Sequence, residues 1–181
     1  MATEKTLTDA FHETLKDVYY AEKQSVRALK KSAKAAKSPS LKRVFEQHME
    51  ESSAQVERLT EVFEIIGKPA RGETCEAMQG LVAEMDEDLG DFGQTEVADE
   101  VLIGCAQAIE HYEIARYGLL KSWAKKLGLT DARKLLDKTL AEEKNANVLL
   151  TQIAEGANGA DEHPGKERTR AKAKAVAMMP F

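Results

Sequence analysis

The sequence predicts an all-α protein, a four-helix bundle of two antiparallel hairpins joined by a long crossover that contains a short helix. Three observations predict it. The chain is 43% hydrophobic and 31% charged with only 4 prolines, and its surplus of Ala, Glu, Lys and Leu favours helix. Four long segments carry apolar residues at a period of 3.6. The breaks between them are short, long and short.

The first segment runs from about Thr6 to Lys37 and opens with Thr6 and Asp9 in a capping-box arrangement. It ends at SPS, where Ser38 can cap and Pro39 can start the second segment, which continues to Ile66 and stops at Gly67. The third runs from about Thr95 to Leu127 and closes at Gly128; the fourth runs from about Thr130 to Glu155 and closes at Gly156. Breaks of a few residues at Ser38 and Gly128 make antiparallel neighbours. The stretch from Gly67 to Gln94, with the amphipathic CEAMQGLVAEMDEDL, is long enough to travel the length of a bundle. Two hairpins joined by one crossover is the connectivity of ferritin-like bundles.

At 181 residues the chain fits one domain that needs no disulfide or structural metal to fold. We expect the bundle to occupy 1–156 and residues 157–181 to form a loosely ordered basic tail. The N-terminus is polar and no run approaches the roughly 18 apolar residues of a membrane span. Cys75 and Cys105 form no close-spaced pair, which suits a reducing compartment. Both features predict a cytoplasmic protein without membrane contact. The net charge of −5 names no partner.

Acid interrupts every apolar stripe at mid-length. Glu22 breaks the first, His48, Glu51 and Gln55 the second, Glu110 and Glu113 the third, and Glu143 and Asn147 the fourth. Burying one carboxylate costs several kcal/mol, and like charges close together add to it. No lysine or arginine shares those inward positions in the stripes as traced. A pair of divalent cations would compensate, and oxygen-rich donors with one imidazole suit iron or manganese. A similar number of positions separates Glu22 from Glu51 and Glu113 from Glu143. EESSAQV also rhymes with EEKNANV, which predicts a pseudo-symmetric site with the Gln55 and Asn147 amides bonded to its ligands.

The segments DVYYAEKQ, HMEESSAQVERL, IEHYEIARYG and LAEEKNANVLL resemble the YciE/YciF family of ferritin-like bacterial stress proteins over about residues 6–155. The resemblance implies a ferritin-like bundle, a carboxylate-bridged dimetal centre and a homodimer. It also implies Glu22, Glu51, Glu113 and Glu143 as the central carboxylates, with Glu110 a fifth ligand or a carboxylate that shifts between metal and solvent. The chain departs from the Glu-x-x-His pattern of many di-iron bundles, because His48 precedes Glu51 and the fourth helix has no histidine.

These readings lead to a function. The protein is expected to hold two Fe ions, with Mn as the alternative, and to react ferrous iron with dioxygen or peroxide under stress. The competing reading is a non-catalytic dimeric protein whose metal is vestigial or stabilising and which acts through its surface or tail. For His48, ligation and a hydrogen bond to a neighbouring carboxylate are both open. Tyr19 and Tyr117 lie one turn from Glu22 and Glu113, either as core residues with bonded hydroxyls or in a proton or redox role. His111 is expected at the surface or an interface, and Trp123 in packing. The tail bases Lys166, Arg168, Arg170, Lys172 and Lys174 are either solvated or a nucleic-acid contact.

Overall fold

Cap chemistry fixes several of the helix ends. In the computed structural model, which describes residues 4–156, five helices and no strands occur among the described residues. They are α1 (Leu7–Ala35), α2 (Pro39–Ile65), α3 (Glu76–Phe92), α4 (Ala98–Lys126) and α5 (Thr130–Ala154). Thr6 accepts from the Asp9 backbone N–H while the Asp9 carboxylate accepts from the Thr6 N–H at 2.8 Å, so the capping box forms. Ser38 caps α2 with Pro39 in its first turn. Gly67 and Gly128 adopt φ of 65° and 72°, a left-handed conformation that a side chain would strain. Each lets the next N–H bond back to a carbonyl of the helix it terminates, Lys68 to Phe63 and Leu129 to Ala124, both at 2.9 Å.

Core contacts give the directions of the helices. One apolar cluster joins Phe11, Leu15 and Val18 of α1 to Leu59 and Phe63 near the end of α2, Tyr117 and Leu120 late in α4, and Leu136 early in α5. A second joins Leu29 and Ala33 to Leu41 and Phe45, with Leu102, Ile103 and Leu150. Starts therefore meet ends within each hairpin, α1 against α2 and α4 against α5. The hairpins meet through α2 on α5 and α1 on α4. Full burial of each Leu or Phe contributes about 1.5–3 kcal/mol, so the apolar clusters at the two ends carry much of the stability.

The crossover helix is longer than expected. α3 has 17 residues and reaches Phe92. Met78 and Met85 are packed with Ala21, Ala28 and Ile109, which seats α3 along α1 and α4. The small alanines on α1 let a helix with only two fully buried side chains approach closely. Asp99 of α4 accepts from the backbone N–H groups of Lys37 and Ser38 at 2.8 and 2.7 Å, fastening the α1–α2 turn to the second hairpin. No helix among the described residues is long and apolar enough to cross a membrane. The tail, with its five bases, lies outside the described residues.

Candidate metal centre

Between the two apolar clusters lies a polar layer built by helical spacing. Glu110, Glu113 and Tyr117 follow one another at i, i+3 and i+7 and so share one face of α4. His48, Ser52 and Gln55 do the same on α2, while Glu22 and Glu143 come from α1 and α5. Glu22, Glu113 and Glu143 are 0% exposed, Glu110 1% and His48 3%. His48, Glu110, Glu113 and Glu143 each place a donor atom so that all lie within 4.8 Å of one another. The group can hold a metal ion.

The side chains of this layer alone leave its electrostatics strained. Both oxygens of Glu113 and of Glu143, one of Glu22 and one of Glu110 are buried without a hydrogen-bond partner. His48 Nε2 stands 3.0 Å from Glu110 and 3.3 Å from Glu143, yet it lacks hydrogen-bond geometry to either. It is held beside the carboxylates without being aimed at one of them. Burial, then the neighbouring charge of Glu143, raises the Glu22 carboxyl well above its ordinary range. Glu113 is raised likewise by burial and then by Glu22. Burial pushes Glu110 up to about 8, with His48 pulling the other way. Burial opposes the charge on His48, but its contacts with Glu110, Glu143 and Glu51 raise it well above the usual imidazole value. Without a cation the layer holds protons instead.

Glu51 is not in this group. Its side chain is 28% exposed, and its carboxylate meets His48 Nδ1 at 3.4 Å and accepts from Gln47 at 2.9 Å. The inward position after His48 is four residues on, at fully buried Ser52, so Glu51 falls on the flank of the same turn. EESSAQV and EEKNANV therefore present different faces despite their rhyme: Glu143 points in and Glu51 points aside. The second hairpin supplies three of the central carboxylates, and the first supplies Glu22 and the imidazole.

The amides expected beside the ligands bond elsewhere. Gln55 is buried but donates to Glu142 at 3.2 Å, and half-buried Asn147 accepts from Gln107 at 3.3 Å. Tyr117 is wholly buried and donates to Glu22 at 2.5 Å, whereas Tyr19 packs edge-on against Phe63 below Lys23. His111 is exposed, and Trp123 packs against the first apolar cluster.

One buried cation was not visible as inward-facing in the sequence. Arg58 clamps Glu142 through two guanidinium nitrogens at 2.7 and 2.9 Å and donates to Thr139 at 2.6 Å. Its charge is matched by Glu142, one residue from the cluster, and leaves the four central carboxylates with His48 alone beside them. Ser25 and Ser52, also unremarked in the sequence, are buried with unpartnered hydroxyls. The only signal for them was their spacing from Glu22 and His48.

Comparison with known proteins places the chain in a family. Residues 6–162 match the family described as Domain of unknown function (DUF892). Protein YciF of Escherichia coli (strain K12) is 43% identical over 151 residues, 83% of this chain and 91% of that protein. The crystal structure of the E. coli stress protein YciF superposes with a TM-score of 0.81 at 42% identity, covering 87% of this chain and 100% of that one. YcfI of Rhodopseudomonas palustris, described as a candidate structural protein, gives 0.80 at 40% identity over 83% and 97% of the two chains. A Xanthomonas campestris protein shares the fold at 24% identity, with a TM-score of 0.65.

Proposed function

The chain belongs to the DUF892 family, and from that premise we propose that it is a ferritin-like dimetal protein that reacts iron with dioxygen or peroxide in a bacterial stress response. One observation carries this reading: the described residues bury four glutamates in one layer with an imidazole as the sole nearby base. The cost of that burial, several kcal/mol per ion, falls if divalent cations share the oxygens. The description of E. coli YciF as a stress protein supports the physiological setting.

The donor set fits the metals. Carboxylate oxygens with one imidazole suit iron or manganese better than a thiolate-seeking ion. In this reading His48, Glu110, Glu113 and Glu143 would hold one ion, and Glu22 and Glu51 would offer oxygens to the second. Bound iron would supply the redox couple that the side chains lack. The chain does the rest. Tyr117 holds Glu22 in place, the Arg58–Glu142 pair fixes the α2–α5 flank, and the apolar clusters above and below exclude water.

A second reading has its own support, since YcfI is described in structural terms: a helical protein, dimeric by resemblance, whose metal only stabilises it. Anaerobic titration of the full chain with ferrous iron separates the two. The redox reading expects about two irons per chain that oxidise rapidly on exposure to dioxygen or peroxide. Retained ferrous iron without oxidation overturns it for the structural reading, and absence of iron binding likewise overturns the redox reading.

A further inference from the structure

α3 and α4 enclose an open groove of about 340 Å³ on the face of the molecule away from the carboxylate layer. Leu81, Phe92 and Val101 give it an apolar lining, and Glu84 and Asp88 stand along one wall. Phe92 is 41% exposed, unusual for so large an apolar ring. Gly104 leaves a gap in the α4 wall, where a Cβ would meet nothing within 4 Å.

The groove lies in the most one-sided part of the charge distribution. No lysine or arginine occurs between Arg71 and Arg116, while α3 alone carries Glu76, Glu84, Asp86, Glu87, Asp88 and Asp91. Asp86 is paired with Lys31. Among the described residues Glu84 and Asp88 have no such partner. Cys105 donates to Asp88 at 3.3 Å. Burial, then Asp88, pushes its thiol up to about 12, which suits a binding surface better than a nucleophile.

Beyond Gly156 the sequence carries the complementary pattern. KERTRAKAKAVAMMPF presents five bases against Glu167 alone, followed by Val176, Met178, Met179 and Phe181. α5 delivers it to the right end of the molecule, because Ile153 in its last turn and Leu89 of α3 pack on the same apolar cluster. Ten residues of extended chain span about 33 Å, more than the roughly 25 Å length of the 17-residue α3. We propose that residues 166–181 of this chain dock in its own α3–α4 groove, the bases against Glu84 and Asp88 and the apolar end against Leu81, Phe92 and Val101. Glu84 and Asp88 would repel a nucleic acid from the groove itself, so the oligonucleotide arm of the test below separates the two uses of the bases.

The test places a photoreactive benzophenone amino acid at Met178 of the full chain and maps the adducts by mass spectrometry. Docking predicts intramolecular adducts within Leu81–Phe92 and Val101–Ala108, with a yield that falls about fivefold in roughly 0.5 M salt. The paired reversal Glu84→Lys and Asp88→Lys should lower the yield similarly. Gly104→Phe should do so by filling the groove, with helicity by circular dichroism unchanged. Adducts elsewhere on the chain, a yield indifferent to salt and to both variants, adducts only in species of doubled mass, or adducts only to an added oligonucleotide would each overturn the proposal. The salt series on the otherwise unaltered chain keeps the test decisive if a variant fails to fold.

Discussion

The Tyr117 hydroxyl of α4 donates to the Glu22 carboxylate of α1 at 2.5 Å, with both side chains at 0% exposure. This bond crosses between the hairpins and satisfies one of the two Glu22 oxygens; the other has no partner. Tyr117→Phe keeps the ring and removes the donor. It should destabilise the metal-free protein by about 1–3 kcal/mol, read from urea denaturation. If Glu22 is a ligand, iron affinity should also fall about 10–100-fold.

Glu113 gives the opposite pairing of effects. Both its oxygens are buried and unpartnered, with Glu22 and Glu143 adding repulsion. Glu113→Gln removes the ionisable group, and with it the cost of keeping that group protonated, at nearly constant volume. At a pH near 8 the metal-free variant should melt above the parent, by about 2–4 °C for each kcal/mol relieved, while losing iron binding. A lower Tm would show that the carboxylate contributes to the fold without metal. Unchanged iron occupancy would remove Glu113 from the ligand set.

The metal-stripped protein should lose stability as pH rises. Glu22, Glu110 and Glu113 all have raised folded-state values, with Glu110 at about 8. Between the unfolded carboxylate value of about 4.3 and the folded one, the native state binds more protons than the unfolded state. Stability is therefore full below that range and declines through it. His48, also raised, acts in the same direction by losing its proton on the way up. Thermal melts in chelator from about pH 5 to 9 should show Tm falling. Saturating iron should blunt or reverse the slope, because its binding displaces those protons.

Arg58 anchors the flank. Arg58→Met strands Glu142 and Thr139; because the Glu142 side chain keeps 22% exposure, we expect a loss of about 2–4 kcal/mol, at the lower side for a broken buried pair. Adding Glu142→Met should recover much of it. A double variant as weak as the single one would mean that packing, not the charge pair, carries the effect.

Local chemistry wrote most of the fold into the sequence. The Thr6–Asp9 box, the Ser38–Pro39 start and the glycines at 67 and 128 act within a few residues, so their effect can be read without tertiary structure. Glu22, Glu110, Glu113 and Glu143 were legible because a carboxylate inside an apolar stripe is a conflict visible by periodicity alone. Glu51 turns to the flank instead of the expected inward face because one step of helical phase separates it from Ser52, and glutamate is common on flanks. Arg58 escaped for the converse reason: it sits at the margin of the α2 stripe, and only the approach of α5 buries it. The tie from Asp99 to Lys37 and Ser38 joins residues more than sixty positions apart, and no local pattern marks it.

The apolar clusters that close both ends of the polar layer also decide how anything gets in. In the dimetal reading proposed above, the apolar side chains at both ends disfavour axial entry of an ion or a small oxidant, which makes the flank between helices the expected lateral route. Glu51, half in solvent and touching buried His48, stands on that lateral route. Delivery to the centre should thus be governed by the charge and breathing of one flank, and the carboxylate that is least enclosed is the one stationed at the threshold.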